Sequence, residues 1–461
     1  MKTFAQIIGD YVLNLSYDHL PHDVVDKCKA LFLDTLGVMV LGANTPWSKS
    51  VLAYFKEQGG AQEADVVYHG VKLPSSSTAF VNGTMAHSFD YDDDLAACHV
   101  ATCVIPAALA IGQKLGVSGR KLITAIVAGY DVTVRLAETL DGHHLYAMGF
   151  HPTPVCGTFG AAVATAKLLD LSRDQVVHAL GIAGSFPSGS MEWLSDGSMT
   201  KRFHGGKSAS EGIIASLLAQ KGFTGPSSIF EGKNGIFPMF QAQRPHDTLI
   251  HQLSERFDIL KSYIKLYPCC TCNAPIIDAV TELRKAGDLN PGNIERIEIR
   301  LRKTCMALVG EPLERKQHPE TILEAQMSAP YCSAVALLDG EVFPPQFSPE
   351  RIKDAKVQEL ARKTQVVWDE NLEMCGTPRP VPAEIIITML DGRMLRKRVD
   401  YQKGTYRNPL TPNELKRKFF ICVKGRLSEQ NADLLLNMIE NLEKIEDIQT
   451  LKSYDDTYHG I

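Results

Sequence analysis

The 461-residue chain carries 48 Lys and Arg against 53 Asp and Glu, a formal net charge of −5, with 44% hydrophobic and 22% charged residues. This composition excludes a disordered or fibrous protein, and the lack of any long Lys/Arg run excludes a phosphate-tracking surface, so no nucleic acid partner is expected. The length exceeds what one hydrophobic core readily sustains, which predicts two domains.

The first residues, MKTFAQIIGDYVLNL, are broken by Asp10 and offer no small-residue cleavage site, so they do not read as a signal peptide. Eleven cysteines, an odd number spread along the chain, suit reduced thiols better than a disulfide framework, and a cytoplasmic protein is expected. Residues 24–41 are apolar nearly all round and predict a helix buried on every side. The apolar run 30–43 is shorter than the roughly 20 residues of a membrane span and contains Asp34, so no membrane insertion is expected. From residue 1 to about 260 helices alternate with short Gly/Pro/Ser punctuation, with strand character only around ADVVYHG. Ser118 is placed to cap a helix over 119–140, and Ser172 with Gln175 matches a capping box. The segment 157–166, GTFGAAVATA, predicts a helix of small residues that neighbouring backbones can approach closely.

The pattern changes near residue 263. IERIEIRL, 294–301, alternates as a half-buried strand does. AEIIITMLDGRMLRKRVD, 383–400, centres on Asp391-Gly392, the pair preferred in a type I′ hairpin turn. Helical patterns over 270–286 and 319–339 lie between. Beyond them, 428–447 carries apolar residues at 432, 435, 439, 442 and 445, which predicts a helical tail that rejoins the first part. The expected architecture is mainly α: a large helical bundle domain, 1–262 with 399–461, plus a smaller α+β lid domain, 263–398, with a ligand cleft between them.

Four stretches carry candidate chemistry, while HExxH, GxGxxG, paired CxxC and GxSxG are all absent. HSFDYDDDLAACHV, 87–100, sets Asp90, Asp92, Asp93 and Asp94 between His87 and His99. It reads as a hard-cation site, a solvated turn capping a helix near Val100, or an acid/base site in which crowded carboxylates raise one another's pKa. The EF-hand spacing is missing, which argues against metal, and His99 titrates near neutrality. His151, in GFHPTPVCGTFGAA, precedes a helix whose positive end favours anions, or is simply packed at the start of that helix. SDGSMTKRFHGGKSASEG, 195–212, gathers Lys201, Arg202, His204 and Lys207 in a Gly/Ser-rich loop leading into a helix near 207–220. That loop suits a substrate with several carboxylates, or is a solvated basic loop. LYPCCTCNAPIIDAV, 266–280, holds three cysteines in four residues, but adjacent thiols ligate one tetrahedral ion poorly, so buried structural thiols are favoured over a metal. Histidine and aspartate for proton transfer, with Lys/Arg for anion binding, suffice for chemistry beside a carboxylate that ends in loss of water or CO2, or in return of the proton.

The order of motifs, NGTMAHSFDYDDD with His99, GFHPTPVCGTFGAAVATAKLL, SMTKRFHGGKSASEG, KLYPCC, EAQMSAPYCSAVAL and GTYRNPLTPNELKRKF, resembles the MmgE/PrpD family. That family includes 2-methylcitrate dehydratases, cis-aconitate decarboxylases and iminodisuccinate epimerases, and the resemblance runs from about residue 4 to 447. It implies a cofactor-independent homodimer with a helical bundle and a smaller lid, and it puts Asp90, His99, His151 and Lys201 at the family's active-site acid, histidines and lysine. Two departures stand out. Asp94 stands where decarboxylases have threonine or another small polar residue, and Ala274 stands where decarboxylase-like relatives carry a histidine, leaving Asn273 or Cys272 to fill the space.

The resulting expectation is a lyase, dehydratase or decarboxylase, acting on a small di- or tricarboxylate such as methylcitrate or cis-aconitate. His151 or His99 would move the carbon-bound proton, Lys201 and Arg202 would hold carboxylates, and Asp90 would orient a histidine. Asp94, His204, Lys207, Tyr267 and Cys272 would also contact substrate, while Asp92 and Asp93 would serve as capping groups. The alternatives are an epimerase of a dicarboxylate such as iminodisuccinate, a carboxylate-binding protein that has lost its base, and a metalloenzyme. No metal and no cofactor is expected.

Overall fold

The computed structural model describes residues 2–287, 289–373 and 381–452. The apolar segment near the N-terminus forms the helix His22–Gly42, buried without interruption from Leu31 onward. The Ser118 side chain accepts the Lys121 N–H and opens the helix Gly119–Leu140. Ser172 and Gln175 make the reciprocal capping box that opens Arg173–Ala183. These boundaries follow the sequence because caps are local chemistry.

The basic segment departs from expectation. Residues 200–207 are not a loop but the first turns of one long helix, Thr200–Gln220. Its glycines serve close packing: a Cβ built on Gly206 would stand 2.0 Å from the Phe80 carbonyl oxygen of the helix Ser75–Ala86, and one on Gly83 would meet Gly206 at 2.6 Å. The small-residue helix Pro152–Leu168 packs against the same long helix. Lys201 is thereby held inside the molecule.

Two hydrophobic clusters organise the chain. The first is built by helices before residue 260 and also takes Phe419, Val423, Leu435, Ile439 and Leu442 from the tail. The second surrounds a four-stranded mixed sheet in the order Thr364–Trp368, Ile294–Leu301, Ala383–Met389, Met394–Val399. The first two of these strands are parallel and the other pairings antiparallel, with Ile297 opposite Ile387 and Ile299 opposite Ile385. The helices Ala274–Lys285 and Ala329–Asp339 pack beside this sheet. The hairpin closes where Asp391-Gly392 predicts, but only Gly392 takes positive φ (+85°), so the turn is not the type I′ form, which needs two such residues.

A separate two-residue pairing matters more for the site. Asp93–Asp94 pairs antiparallel with Tyr263–Ile264, Asp93 opposite Ile264 and Asp94 opposite Tyr263. It fastens the acidic loop to the segment that leads into the second cluster. Among the described residues, no helix is long and apolar enough to cross a membrane.

The close helix crossing yields a test. Gly206→Ala is expected to destabilise the protein by about 3 kcal/mol, the upper range of an overpacking cost, and a urea midpoint unchanged from wild type would show the crossing to be looser than described.

Candidate active site

The acidic loop is buried. His87 ends the helix Ser75–Ala86, and Asp90 turns the chain with φ +51°, a backbone conformation uncommon for a residue with a side chain. His87, Asp90, Asp92 and Asp93 are each 1% exposed or less, which overturns the solvated-turn reading. Asp93 accepts the Ala101 N–H, the Tyr130 hydroxyl and the Ser262 hydroxyl, each at 2.9 Å, and so caps the helix Ala101–Leu115 as expected. Burial, with Asp92 nearby, still pushes its carboxyl up to about 7 against those donors. From the tail, the buried Lys418 ammonium pairs with Asp34 at 2.6 Å and donates to the Tyr91 carbonyl at 2.7 Å, fixing the loop from beneath.

Asp90 sits between two ammonium groups. Its Oδ2 is 2.8 Å from Lys201 Nζ and its Oδ1 is 2.6 Å from Lys265 Nζ. Burial works to raise the Asp90 carboxyl, but Lys201 and Lys265 reverse this and hold it well below the ordinary carboxylate range. Lys201 is lowered by burial, with Lys265 and Arg202 adding to the effect against the pull of Asp90. Lys265 is raised despite burial by Asp90, Asp92 and Asp94. The sequence reading missed Lys265, although this residue opens the KLYPCC motif.

The orienting role expected of Asp90 falls instead to Asp92. Its Oδ1 lies 3.0 Å from His87 Nδ1 and its Oδ2 lies 2.7 Å from His99 Nδ1, whereas Asp90 is 3.7 Å from His99 Nε2. His99 Nδ1 also donates to the Asp93 carbonyl at 2.9 Å. Burial disfavours the His99 imidazolium, but Asp92 beside it overcomes this and the pKa is raised. His87 goes the other way: burial carries it down to about 3 even with Asp92 in contact.

His151 stands at the start of Pro152–Leu168, as the sequence places it. Burial, helped by His204, His99, His87 and Lys201, holds it well below the ordinary histidine range, which leaves a neutral base. The Thr153 hydroxyl accepts the His99 backbone N–H at 3.0 Å and lies 3.3 Å from His151 Nε2. His151 Nδ1 lies 3.0 Å from His204 Nδ1.

One cavity brings together Asp90, Asp94, His99, His151, Lys201, Lys265, Cys270 and Cys272. Four expected substrate contacts lie outside its lining. Arg202 is buried and donates to Gln326 Oε1 at 2.7 Å. Lys207, six residues and so about 120° round the helix from Lys201, pairs with Glu211 at 2.8 Å. Tyr267 donates to Asp278 at 2.6 Å, and His204 backs His151. Ala274, the first residue of its helix, also falls outside the lining. Asp94 faces the cavity and accepts the Thr271 hydroxyl at 2.6 Å. The described cysteines are free and buried.

Ring nitrogens of His87, His99 and His151 lie within 4.8 Å of one another, as do donor atoms of His87, Asp90, Asp92 and His99. A cation there would have to displace the His99 proton and stand beside two ammonium groups, so this donor set fits a metal poorly.

Residues 6–248 match the family model of the MmgE/PrpD N-terminal domain and residues 267–444 that of the MmgE/PrpD C-terminal domain. The chain is 28% identical to a mouse (Mus musculus) cis-aconitate decarboxylase over 98% of its own length and 93% of that protein. It is 29% identical to the human (Homo sapiens) cis-aconitate decarboxylase over 98% and 94%, and 26% identical to one from Aspergillus terreus over 96% and 94%.

The charge pattern is open to direct observation. In ¹⁵N-histidine NMR, His99 should remain an imidazolium as pH rises past 6.5, while His87 stays neutral down to about pH 3. Assignment by His99→Gln and His87→Gln would expose the reverse order if it held.

Proposed function

The chain belongs to the MmgE/PrpD family, and from that footing we propose that it is a cofactor-independent lyase that acts on a small di- or tricarboxylate, such as cis-aconitate or methylcitrate, by proton transfer beside a carboxylate. The observation that carries this reading is the buried Lys201–Asp90–Lys265 group sharing a cavity with a raised His99 and a lowered His151. Counted over the whole lining, Asp94 included, the cavity holds more cationic than anionic side chains, with Arg244, Lys261 and Arg302 joining Lys201 and Lys265, so an anionic substrate is drawn in. A substrate carboxylate beside Lys201 can take up negative charge as it forms, and fixed donors in a dry site are worth several kcal/mol to such a transition state.

In dehydration, His151 Nε2 takes the proton next to the carboxylate, the electron pair moves into that carboxylate, and the β-hydroxyl, once given a proton, departs as water. In decarboxylation, the pair released by the breaking C–C bond goes to the same place and carbon is then protonated. The names of the mammalian and Aspergillus relatives favour the second course. An isomerase of a dicarboxylate is the second reading, favoured by Asp94: a third substrate carboxylate beside it would meet like charge. The homodimer implied by the family resemblance and a cytoplasmic location belong to the same proposal, the former checked by light scattering.

NMR in D₂O with citrate, methylcitrate, cis-aconitate and iminodisuccinate tests the reading. Itaconate marks a decarboxylase, a new alkene a dehydratase, and deuterium exchange without net loss an epimerase; no change in any of the four would overturn it. Lys201→Ala should lower kcat by about 10²–10³-fold with the far-UV circular dichroism retained, and near-normal turnover would remove Lys201 from the mechanism.

A further inference from the structure

Cys270 lines the cavity but has no part in the steps above. Its backbone is fixed on both sides: its N–H donates to the Gln326 carbonyl at 3.0 Å and its carbonyl accepts the Asn273 N–H at 2.9 Å. The Gln326 side chain also donates to the Phe89 carbonyl at 2.6 Å, next to Asp90, and to the Pro268 carbonyl at 2.9 Å. One residue therefore sets the position of the Cys270 turn relative to the acidic loop. Cys270 belongs to the second hydrophobic cluster, whereas His151 opens a helix of the first, so the two reach the cavity from different parts of the fold.

The surroundings of Cys270 suit a thiolate. The neighbouring Cys272 and Lys265 favour its thiolate, burial and Asp90 oppose them, and the balance brings the thiol down to about 7. At Cys103 and Cys422 burial is the largest cause and the thiols are lifted to about 12. A charge on Cys270 favours the Lys316 ammonium and disfavours ionisation of Tyr146, Cys269 and Cys305.

We propose that Cys270 is a second catalytic acid–base residue of this site, its Sγ–H delivering the proton that His151 does not handle. In dehydration His151 Nε2 removes the carbon-bound proton while the Cys270 S–H proton goes to the departing hydroxyl, so water leaves and an imidazolium and a thiolate remain. The imidazolium proton returns to the thiolate through solvent when the site opens. In decarboxylation the S–H proton forms the new C–H bond after CO2 leaves, and water reprotonates sulfur. In an epimerisation one group takes the proton and the other gives one back, so no atom is gained or lost. The proposal rests on the reading of the site as one for proton transfer.

Cys270→Ala and Cys270→Ser are assayed in the full chain on whichever substrate the D₂O screen identifies. Both should lose kcat by about 10²-fold or more, the usual worth of a positioned acid or base, with KM changed less than about threefold. Retention of a third or more of wild-type kcat in either would overturn the assignment. A second measurement needs neither turnover nor a variant: iodoacetamide alkylation of the wild-type protein, followed by peptide mass spectrometry across pH. Cys270 should react first, with a midpoint near pH 7, and saturating citrate or cis-aconitate should slow it at least tenfold. Reaction at the ordinary cysteine midpoint, or without protection, would overturn the proposal. A wild-type protein inert toward all four substrates defeats the functional reading; an active wild type with an indifferent Cys270→Ala defeats only the role of Cys270.

Discussion

The arrangement turns on one buried carboxylate held between two ammonium groups. Taking Asp90, Lys201 and Lys265 out of water costs several kcal/mol for each ion, and only close mutual contact recovers it, so loss of either lysine leaves charge stranded in the interior. The two lysines come from distant places. Lys201 is carried by a helix of the first cluster, locked in by glycines against Ser75–Ala86, and Lys265 follows the strand pairing of Tyr263–Ile264 with Asp93–Asp94. The contact that completes the site is thus also the contact that joins the two parts of the chain.

Burial is nearly uniform across this site, yet neighbouring groups of the same type titrate in opposite directions. His87 and His99 both touch Asp92, but His99 also faces Asp90 and is raised, while burial wins at His87. Asp92 faces two imidazoles and is lowered; Asp93 faces hydroxyls and one N–H and is raised to about 7. Desolvation supplies a common background, and one or two contacts decide its sign. This is how an acid and a base coexist a few ångströms apart at one pH.

The legibility of the sequence follows the range of the interactions. Helix starts at Ser118 and Ser172 were readable because the cap and its partner lie within three residues. The 87–100 stretch was readable as chemistry because six histidines and aspartates crowd into fourteen residues. Its internal pairing was not, since the positive φ of Asp90 and the arrival of Lys265 direct that carboxylate away from His99 and leave Asp92 to orient the ring. The glycines at 205 and 206 suggested a loop because glycine is permissive; here they admit another backbone, a reason held by residues more than a hundred positions away. Lys207 was grouped with Lys201 by proximity in sequence, which a helix separates by face.

On the proposed function, rate and selectivity would rest on different carboxylates. Asp90 is fully engaged by its lysines, so its charge is neutralised locally and it presents little repulsion to an incoming anion. Asp94 faces the same cavity with Thr271 as its hydrogen-bond donor, and among the described residues no lysine contacts it as closely as those on Asp90. An anion with two carboxylates can place both against Lys201, Lys265 and His99 and turn its remaining polar group, a hydroxyl or an amine, toward Asp94 as a donor. An anion with three must either direct one past Asp94 or bind with that repulsion unrelieved. On the proposed function, the position that separates this chain from the decarboxylase pattern would act on which anion enters and leave the proton chemistry behind it unchanged.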